Sequence, residues 1–270
     1  MVKKEDNKHL EKTLIFIKMK TIKRQSLLYK TEVEYGDYTI NHVKGCAHGC
    51  LFPCYAFNMA KRFGNVKSYE EWIEPKLVSN SLDLLEVEIP KYKNDIKSVQ
   101  LSFTTDPFME QYPEVGEMTL KIINRLNKDN IKAVILTKSV LPDSLLNTSK
   151  INEYGITLVS LDESFRKKYE PFTVDYERRI VALKKLHDNG FYTWVSIEPY
   201  PTPNICKQDL KELLDQINFV NYIVFGRLHY NKLVSQFKGY KEYYNGLAIF
   251  VEEYCKKHNI RCHIKNGTKL

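Results

Sequence analysis

Half of the chain's six cysteines lie in one short stretch, Gly45-Cys46-Ala47-His48-Gly49-Cys50-Leu51-Phe52-Pro53-Cys54-Tyr55. Closely spaced thiolates bind iron–sulfur clusters or zinc. A cluster of four irons normally takes four cysteines, so three cysteines leave one iron without a protein ligand. An open coordination position is where a metal carries out chemistry. The stretch therefore predicts a metal centre whose last ligand is a substrate or a cofactor.

The residues beside the cysteines favour a loop over a helix. Cysteines four residues apart would line one face of a helix, but Gly45, Gly49 and Pro53 stand next to them. Proline removes a backbone donor and disrupts a helix interior, and glycine adopts backbone conformations that other residues avoid. We expect a wrapped loop whose backbone approaches the metal centre closely.

The stretch resembles the cluster loop of radical S-adenosylmethionine (SAM) enzymes. In that family three cysteines hold a 4Fe-4S cluster, and SAM chelates the fourth iron through its amino and carboxylate groups. The aromatic Tyr55 after the last cysteine fits, whereas the spacing is Cys-x3-Cys-x3-Cys instead of the usual Cys-x3-Cys-x2-Cys, with the extra residue around Phe52-Pro53. The resemblance implies a 4Fe-4S cluster on Cys46, Cys50 and Cys54, with SAM as the second cofactor.

The wider resemblance is to the branch of this family that includes spore photoproduct lyase, and it runs roughly from Tyr35 to Tyr200. It implies an α/β fold, a partial (β/α)6 TIM-like barrel of the radical SAM type with N- and C-terminal additions. On this basis residues 1–34 are an N-terminal extension. Residues 35–270 are the core barrel with a C-terminal strand and helix added.

The sequence pattern independently favours such a barrel. Apolar runs alternate with amphipathic segments, which indicates a parallel sheet connected by helices. A doubly wound open sheet is the alternative, although no Gly-x-Gly-x-x-Gly fingerprint follows an early strand. The predicted strands are Thr39 to Val43, Ile96 to Phe103, Ile131 to Leu136, Ile156 to Leu161, Tyr192 to Ile197 and Tyr222 to Phe225, with Arg261 to Ile264 as an edge or closing strand. The predicted helices are Ala56 to Phe63, Lys76 to Ile89, Glu117 to Asn127, Ser144 to Glu153, Tyr176 to Asp188, Gln208 to Ile217 and Lys241 to Lys257.

Polar residues end the apolar runs of several predicted strands. Ligands of such folds bind beyond the carboxyl ends of the strands, so we expect these side chains to meet at one rim. SAM presents an ammonium, a carboxylate, a sulfonium, a ribose and an adenine, and each needs a different partner. The candidate SAM-binding residues are Thr104, Thr105, Asp106, Lys138, Ser160, Arg179 and Glu198.

The resemblance assigns a role to most of these candidates. The segment Thr104-Thr105-Asp106 is similar to the one that receives the methionine amino group, and Lys138 pairs with the SAM carboxylate as a point charge. In the alternative interpretation Thr-Asp-Pro is an ordinary turn and Lys138 is solvated.

Three further candidates stand later in the chain. Ser160 is a methionine or ribose contact, Arg179 holds a carboxylate or orients the site, and Glu198 accepts a ribose hydroxyl. Tyr200, His229 and Tyr230 are candidates to face the substrate, with core packing or plain surface as the alternative.

The charge and the cysteine content of the chain predict its partners and its cellular location. The 270 residues carry 41 Lys and Arg against 33 Asp and Glu, a formal net charge of +8. This surplus favours acidic partners, nucleic acid in particular, and solubility alone is the other interpretation. Six cysteines without a signal-peptide pattern predict reduced thiols and a cytoplasmic location, and no stretch is long and apolar enough to predict a membrane span.

Together these features predict a radical SAM enzyme. The resemblance implies reductive cleavage of SAM to a 5′-deoxyadenosyl radical, which abstracts hydrogen from a substrate, and an electron donor such as flavodoxin or ferredoxin. A nucleic-acid lesion or modification site is the most concrete substrate, and peptides and small molecules stay open. The alternative is a zinc-stabilised nucleic-acid-binding protein without catalysis, with His48 as the fourth ligand beside the three cysteines.

Overall fold

The structure of the protein is a computed structural model that describes residues 19–34, 36–51 and 54–270. Most of the predicted N-terminal extension lies outside the described residues. So do Tyr35, where the family resemblance begins, and Phe52-Pro53, where the cluster loop was predicted to carry its extra residue.

Strands and helices alternate along most of the described chain. The strands are β1 Lys20–Ile22, β2 Leu28–Lys30, β3 Tyr38–Ile40, β4 Val43–Lys44, β5 Lys76–Val78, β6 Ser98–Leu101, β7 Lys132–Thr137, β8 Glu153–Thr157, β9 Tyr192–Tyr200, β10 Tyr222–Arg227 and β11 Arg261–Ile264. The helices are α1 Tyr55–Arg62, α2 Tyr69–Trp72, α3 Ser81–Tyr92, α4 Pro113–Lys128, α5 Glu163–Tyr169, α6 Tyr176–Asp188, α7 Leu210–Gln216, α8 Lys232–Gln236 and α9 Tyr240–Lys257. A 3₁₀ turn spans Asp143–Asn147.

The main sheet confirms the predicted architecture. Its order is β11-β10-β9-β8-β7-β6-β3-β2, and the neighbours from β3 to β11 pair in parallel while β2 joins β3 antiparallel. Parallel strands that stand in chain order put all their carboxyl ends on one rim. The six predicted strands are β3 and β6 to β10, and β11 is the additional edge strand.

Contacts between the two ends of the sheet indicate how far it curves. The Glu34 carboxylate, just after β2, lies 2.7 Å from the His263 ring in β11 and accepts a 3.1 Å hydrogen bond from the Asn266 backbone N–H. Residues from the first and last strands of the sheet meet only if it bends round on itself, so the sheet forms a partial barrel. β2 thus belongs to the barrel wall, and the predicted domain boundary at residues 34 and 35 stays a prediction.

The core lies between this sheet and the helices around it. The central strands are buried along most of their length, and Trp194 in β9 is one of the largest buried side chains. Its ring covers Gly155 in β8, where a Cβ atom would come within 2.5 Å of the indole. Only glycine leaves room for that ring without moving the strands apart.

Two helix predictions were wrong. Lys76 to Ile89 does not form one helix, because Lys76–Val78 is a strand and α3 begins only at Ser81. Leu77 and Val78 are buried in a small second sheet with the order β1-β5-β4, and periodicity cannot tell such a short apolar run from a helical turn.

The second wrong prediction is the helix from Ser144 to Glu153. Only the short 3₁₀ turn forms there, and Glu153 already opens β8. The amides of Asn152 and Asn127 bond to each other, and Asn152 Oδ1 also accepts from the Ala133 backbone N–H at 3.0 Å. Side chains that satisfy nearby backbone groups in this way compete with helix formation.

Candidate active site

The cysteine loop joins β4 to α1 at the rim of the sheet. Its described residues are not helical, as predicted, and α1 begins directly after Cys54. Gly45 has a φ angle of +90°, and a Cβ there would lie 2.6 Å from the Trp72 carbonyl oxygen. Gly49 has a φ angle of +62°, and a Cβ there would lie 2.5 Å from the Phe172 ring. These two positions require glycine, which lets the loop wind tightly against its neighbours.

Backbone hydrogen bonds fix the loop on the segment after α5. The Leu51 N–H donates to the Tyr169 carbonyl at 2.7 Å, and the Phe172 N–H donates to the His48 carbonyl at 3.2 Å. The Tyr69 hydroxyl of α2 donates to the Cys50 carbonyl at 3.1 Å. The loop is therefore held from two sides before any metal binds.

The three thiols are close enough to influence the same groups. Burial raises the pKa of the Cys50 thiol to about 12, opposed by the Lys138 ammonium. Burial also raises the pKa of Cys46, with the Asp106 carboxylate and Cys50 adding to the effect. The Tyr69 pKa rises to about 12 through burial and then through the charges of Cys50, Cys54 and Cys46. Buried thiols of this kind lose their protons when a metal binds, so metal binding here is coupled to proton release.

This donor set fits an iron–sulfur cluster. Three thiols from one loop match the ligand chemistry of a 4Fe-4S cluster that keeps one iron open. Within the described ranges, no group of three or more His, Cys, Asp or Glu side chains is arranged to hold a single metal ion. The ligands of a cluster differ from such a group in that each sulfur binds a different iron.

His48 faces a carboxylate inside the protein. Its Nε2 atom lies 2.9 Å from Asp106 Oδ2, and both side chains are almost fully buried. The same carboxylate accepts hydrogen bonds from the Phe108 N–H at 2.8 Å, the Thr137 hydroxyl at 2.7 Å and the Lys138 N–H at 2.8 Å. Burial by itself would raise the pKa of Asp106, but the His48 ring and these backbone donors hold it below its ordinary value.

The contacts of Asp106 bear on two predictions. His48 has a carboxylate partner at Nε2, an arrangement that metal-bound histidines share, so this contact by itself does not decide on the alternative Cys3His zinc site. Asp106 has its oxygens occupied by four protein groups, so it joins the cluster loop to the ends of β6 and β7. The predicted contact of Asp106 with the methionine amino group stays a prediction, and in the structure the residue positions its neighbours.

A buried chain of charges runs from α6 to the cluster loop. The Arg179 guanidinium, fully buried, lies 3.3 Å from Glu170 Oε2, and the Lys138 ammonium lies 2.5 Å from Glu170 Oε1. Lys138 Nζ is also 3.7 Å from Cys50 Sγ. Burial by itself would raise the pKa of Glu170, but the charges of Lys138 and Arg179 lower it below the usual value. Arg179 therefore holds a carboxylate of the protein, and Lys138 stands beside a cluster ligand.

The threonines of the predicted methionine segment follow β6. Asn41 Oδ1 accepts from both the backbone N–H and the hydroxyl of Thr104, each at 3.0 Å. The Thr105 hydroxyl oxygen is buried and has no hydrogen-bond partner among the described residues. Ser102 begins this turn with a φ angle of 56°, a conformation that non-glycine residues rarely adopt. An unsatisfied hydroxyl next to the Asp106 carboxylate suits a polar ligand at this end of β6.

The last two predicted SAM contacts lie on neighbouring strands. The Ser160 hydroxyl, after β8, accepts from the Asp162 N–H at 3.0 Å and lies 3.7 Å from Cys206 Sγ. Glu198 in β9 pairs with Lys265 at 2.7 Å. Neither has a described contact with the cysteine loop, whereas Asp106 and Lys138 both have one. Tyr200 is a fully buried core residue, as its alternative interpretation predicted.

Sequence reasoning missed the most connected residue of the site. Glu170 forms ion pairs with both Lys138 and Arg179, yet it lies in the irregular segment between α5 and α6. A single Glu before a proline has no periodic pattern that marks it as buried. If Lys138 and Arg179 are both buried at the rim, they need an acidic residue between them, and that requirement is the signal that could have found Glu170.

Several known proteins are similar to this chain in sequence or in fold. The chain is 29% identical over 225 residues to the uncharacterized protein MJ0683 of Methanocaldococcus jannaschii, which covers 82% of this chain and 81% of that protein. It shares a fold with spore photoproduct lyase complexed with dinucleoside spore photoproduct, at a TM-score of 0.67 and 15% identity, over 90% of this chain and 80% of that one. It also shares a fold with a spore photoproduct lyase variant with bound AdoMet and dinucleoside spore photoproduct, at a TM-score of 0.60 and 16% identity. That match covers 80% of this chain and 63% of the other.

In the described part of the chain, none of the helices has the length and apolar character needed to cross a membrane.

The family model described as the Radical SAM superfamily matches residues 40–217, which is more than half of the chain and includes the cysteine loop. The family match decides against the zinc-binding alternative. The protein belongs to the Radical SAM superfamily, whose enzymes use a 4Fe-4S cluster and SAM and depend on an electron donor.

Proposed function

We propose that this radical SAM enzyme abstracts hydrogen from a nucleic acid, at a lesion or a modification site. The cofactors supply the 5′-deoxyadenosyl radical when they are bound. The observation that carries the choice of substrate is a basic, aromatic loop on the same rim as the cysteine loop. It consists of residues 227–232 and is named the Tyr230 loop below.

The rim residues would bind SAM by placing charges and hydroxyl groups next to its polar groups. Lys138, held beside Cys50 by Glu170, would present a positive charge to the SAM carboxylate. Thr105, with its unsatisfied hydroxyl, would contact the methionine amino group. Ser160 and Glu198 would serve the methionine or ribose hydroxyls farther along the rim. In this proposal Asp106 and Arg179 hold these groups in place through their contacts with His48 and Glu170.

The Tyr230 loop follows the carboxyl end of β10. Tyr230 is 97% exposed and has a φ angle of 54°, so its ring projects into solvent from an uncommon backbone conformation. The loop lines a groove of about 290 Å³ with Arg227, Lys232 and Tyr240 among its walls. Neither Arg227 nor Lys232 forms an ion pair with any residue that the structure describes. The Arg227 Nε donates to the Gly267 carbonyl at 2.5 Å, so this cation is held by a neutral group and not by a carboxylate. An exposed aromatic ring between cations that lack an acidic partner is suited to stack on a nucleobase while the cations contact phosphates.

The electrostatics of the loop and of the chain support this proposal. Burial and then the charges of Arg227 and Lys265 lower the pKa of His229, next to Tyr230, so the surroundings of this ring are positive. The whole chain has a formal net charge of +8. The solved structures that share its fold include complexes of spore photoproduct lyase with a dinucleoside lesion, and we carry that class of substrate to this chain.

The substrate proposal is tested by measuring SAM cleavage in the presence of nucleic acids. The anaerobic, cluster-loaded protein is reduced and given SAM with ultraviolet-irradiated DNA, the same DNA without irradiation, or RNA. We expect at least one of these to change the rate of 5′-deoxyadenosine formation and to carry a mass change afterwards. If SAM is cleaved but no nucleic acid binds, changes the rate or is altered, the substrate proposal is wrong.

The first prediction concerns Tyr230. Tyr230→Asn removes the ring but keeps a residue that tolerates a positive φ angle, and we expect it to weaken binding of a single-stranded oligonucleotide by roughly 5- to 150-fold. Tyr230→Phe keeps the ring and should bind almost as the wild type does. Fluorescence anisotropy of a labelled oligonucleotide measures both. Equal affinity of Tyr230→Asn and the wild type would exclude base stacking at this loop.

For the electron donor we infer flavodoxin or ferredoxin. Both are small one-electron carriers that bind to the surface of an enzyme. The chain therefore needs a surface on which such a protein can dock.

A further inference from the structure

The helix that follows the cysteine loop carries apolar side chains on its solvent face. Leu51 is 60% exposed, Met59 45% and Phe63 66%. Tyr55 is also exposed, and its hydroxyl donates to the Phe103 carbonyl. Tyr55, Met59 and Phe63 are spaced by four along α1 and its C-terminal cap, so they form one stripe, while Leu51 lies outside the helix in the cysteine loop. Scattered apolar residues are normal at a surface, whereas a contiguous stripe marks an interaction site.

Several basic side chains stand on α1, just after it and in the last turn of α5. Lys61 and Arg62 stand in the last turn of α1, and Lys67 follows it. Lys167 and Lys168 end α5, whose last residue, Tyr169, accepts the Leu51 N–H. All five basic side chains are exposed, and none pairs with an acidic group in residues 19–34, 36–51 or 54–270. Glu70 of α2 is an exposed acid on the same side, so the local balance is strongly positive.

We infer that this apolar stripe with these basic side chains, named the α1 surface, is the docking site for an acidic one-electron donor protein. The inference rests on the donor class proposed above. A donor must bring its redox centre close to the cluster ligands, and the α1 surface begins at Tyr55, directly after Cys54. Complementary charge steers such a partner and sets its association rate, and an apolar centre gives the complex its lifetime.

The electron transfer that follows docking is balanced for a flavodoxin. A flavin hydroquinone would supply one electron, and a cluster held by Cys46, Cys50 and Cys54 would accept it. No bond of the protein is made or broken. The residues of the α1 surface only hold the two partners together, so they are positioning residues.

Binding measured without turnover tests the inference. Oxidised bacterial flavodoxin is titrated into the anaerobic cluster-loaded protein, and the dissociation constant is followed by calorimetry. Phe63→Glu is expected to weaken binding by about 5- to 30-fold. Lys61→Glu with Arg62→Glu is expected to weaken it as well and to reduce its dependence on salt. Val181→Glu, at a valine that is 61% exposed on α6, is the matched control and should bind as the wild type does.

A turnover measurement separates docking from folding. With dithionite as the electron source, Phe63→Glu should form 5′-deoxyadenosine at the wild-type rate, whereas with reduced flavodoxin it should be slow. If Phe63→Glu and Val181→Glu bind flavodoxin equally, the α1 surface is not the docking site. Failure of both flavodoxin and ferredoxin to bind the wild type would instead contradict the donor class.

Other occupants of the α1 surface give distinct results. If a second copy of the chain covers it, Phe63→Glu will convert a dimer into a monomer in size-exclusion chromatography. If nucleic acid covers it, Phe63→Glu will lose oligonucleotide binding instead of flavodoxin binding. Each of these outcomes would overturn the inference.

Discussion

Cys50→Ala is expected to lose the iron–sulfur chromophore and with it all SAM cleavage. Each of the three thiols would bind a different iron, so removing one leaves a second iron without a protein ligand. Cys50 Sγ also stands 3.7 Å from the Lys138 ammonium, so its loss removes that contact between the cysteine loop and the end of β7. The measurement is iron and sulfide content with the visible spectrum of the anaerobically reconstituted protein, before and after reduction.

Cys262→Ala is the matched control for this prediction. Cys262 lies in β11, at an edge of the main sheet, whereas β4, the strand that leads into the cysteine loop, belongs to the small second sheet. Its replacement should leave iron content and spectrum unchanged. A Cys50→Ala protein with a full iron complement and a reducible chromophore would contradict the assignment of the three ligands.

Glu170→Gln is expected to have the largest effect on stability. Glu170 and Arg179 are fully buried and Lys138 is mostly buried, so removing the central anion leaves two cations without the carboxylate that pairs with them. Breaking a buried ion pair in this way costs about 3–5 kcal/mol, which corresponds to a fall of roughly 6–20 °C in Tm for a chain of this size. Lys138 would also lose its position beside Cys50, so SAM affinity should fall together with stability.

Thermal unfolding of the apoprotein, followed by circular dichroism, measures this effect. Asp188→Asn is the control, because Asp188 pairs with Lys184 and both side chains are about half exposed. Exposed pairs contribute about 0–1 kcal/mol, so this variant should unfold close to the wild type. If Glu170→Gln and Asp188→Asn have the same Tm, the buried charges do not depend on Glu170 as we describe.

The fold was largely predictable because its strands are buried on both faces. Continuous apolar runs such as Tyr222 to Phe225 mark such strands, and the positions of the six strands and of β11 were predicted correctly in outline. β5 was mistaken for a helical turn because three residues contain too little periodicity to decide. The contact of Glu34 with His263 joins residues 229 positions apart, and no local pattern marks such a contact.

The candidate site was predictable in its donor atoms but not in its contacts. The spacing of the three cysteines and the polar strand ends are visible in the sequence. The partners of Asp106 and Lys138 are not, because they depend on a loop packing against a distant segment, as in the 2.5 Å contact of Lys138 with Glu170. The tertiary structure therefore gives these two residues partners within the protein, and their predicted contacts with SAM stay predictions.

The most direct test of the account is whether SAM is cleaved reductively by this protein alone. The wild type, reconstituted anaerobically and reduced with dithionite, is mixed with SAM, and the products are separated by liquid chromatography and mass spectrometry. We predict that 5′-deoxyadenosine and methionine form together in equal amounts, and only when both cluster and reductant are present. A protein with a complete, reduced cluster and bound SAM that forms neither product would contradict it.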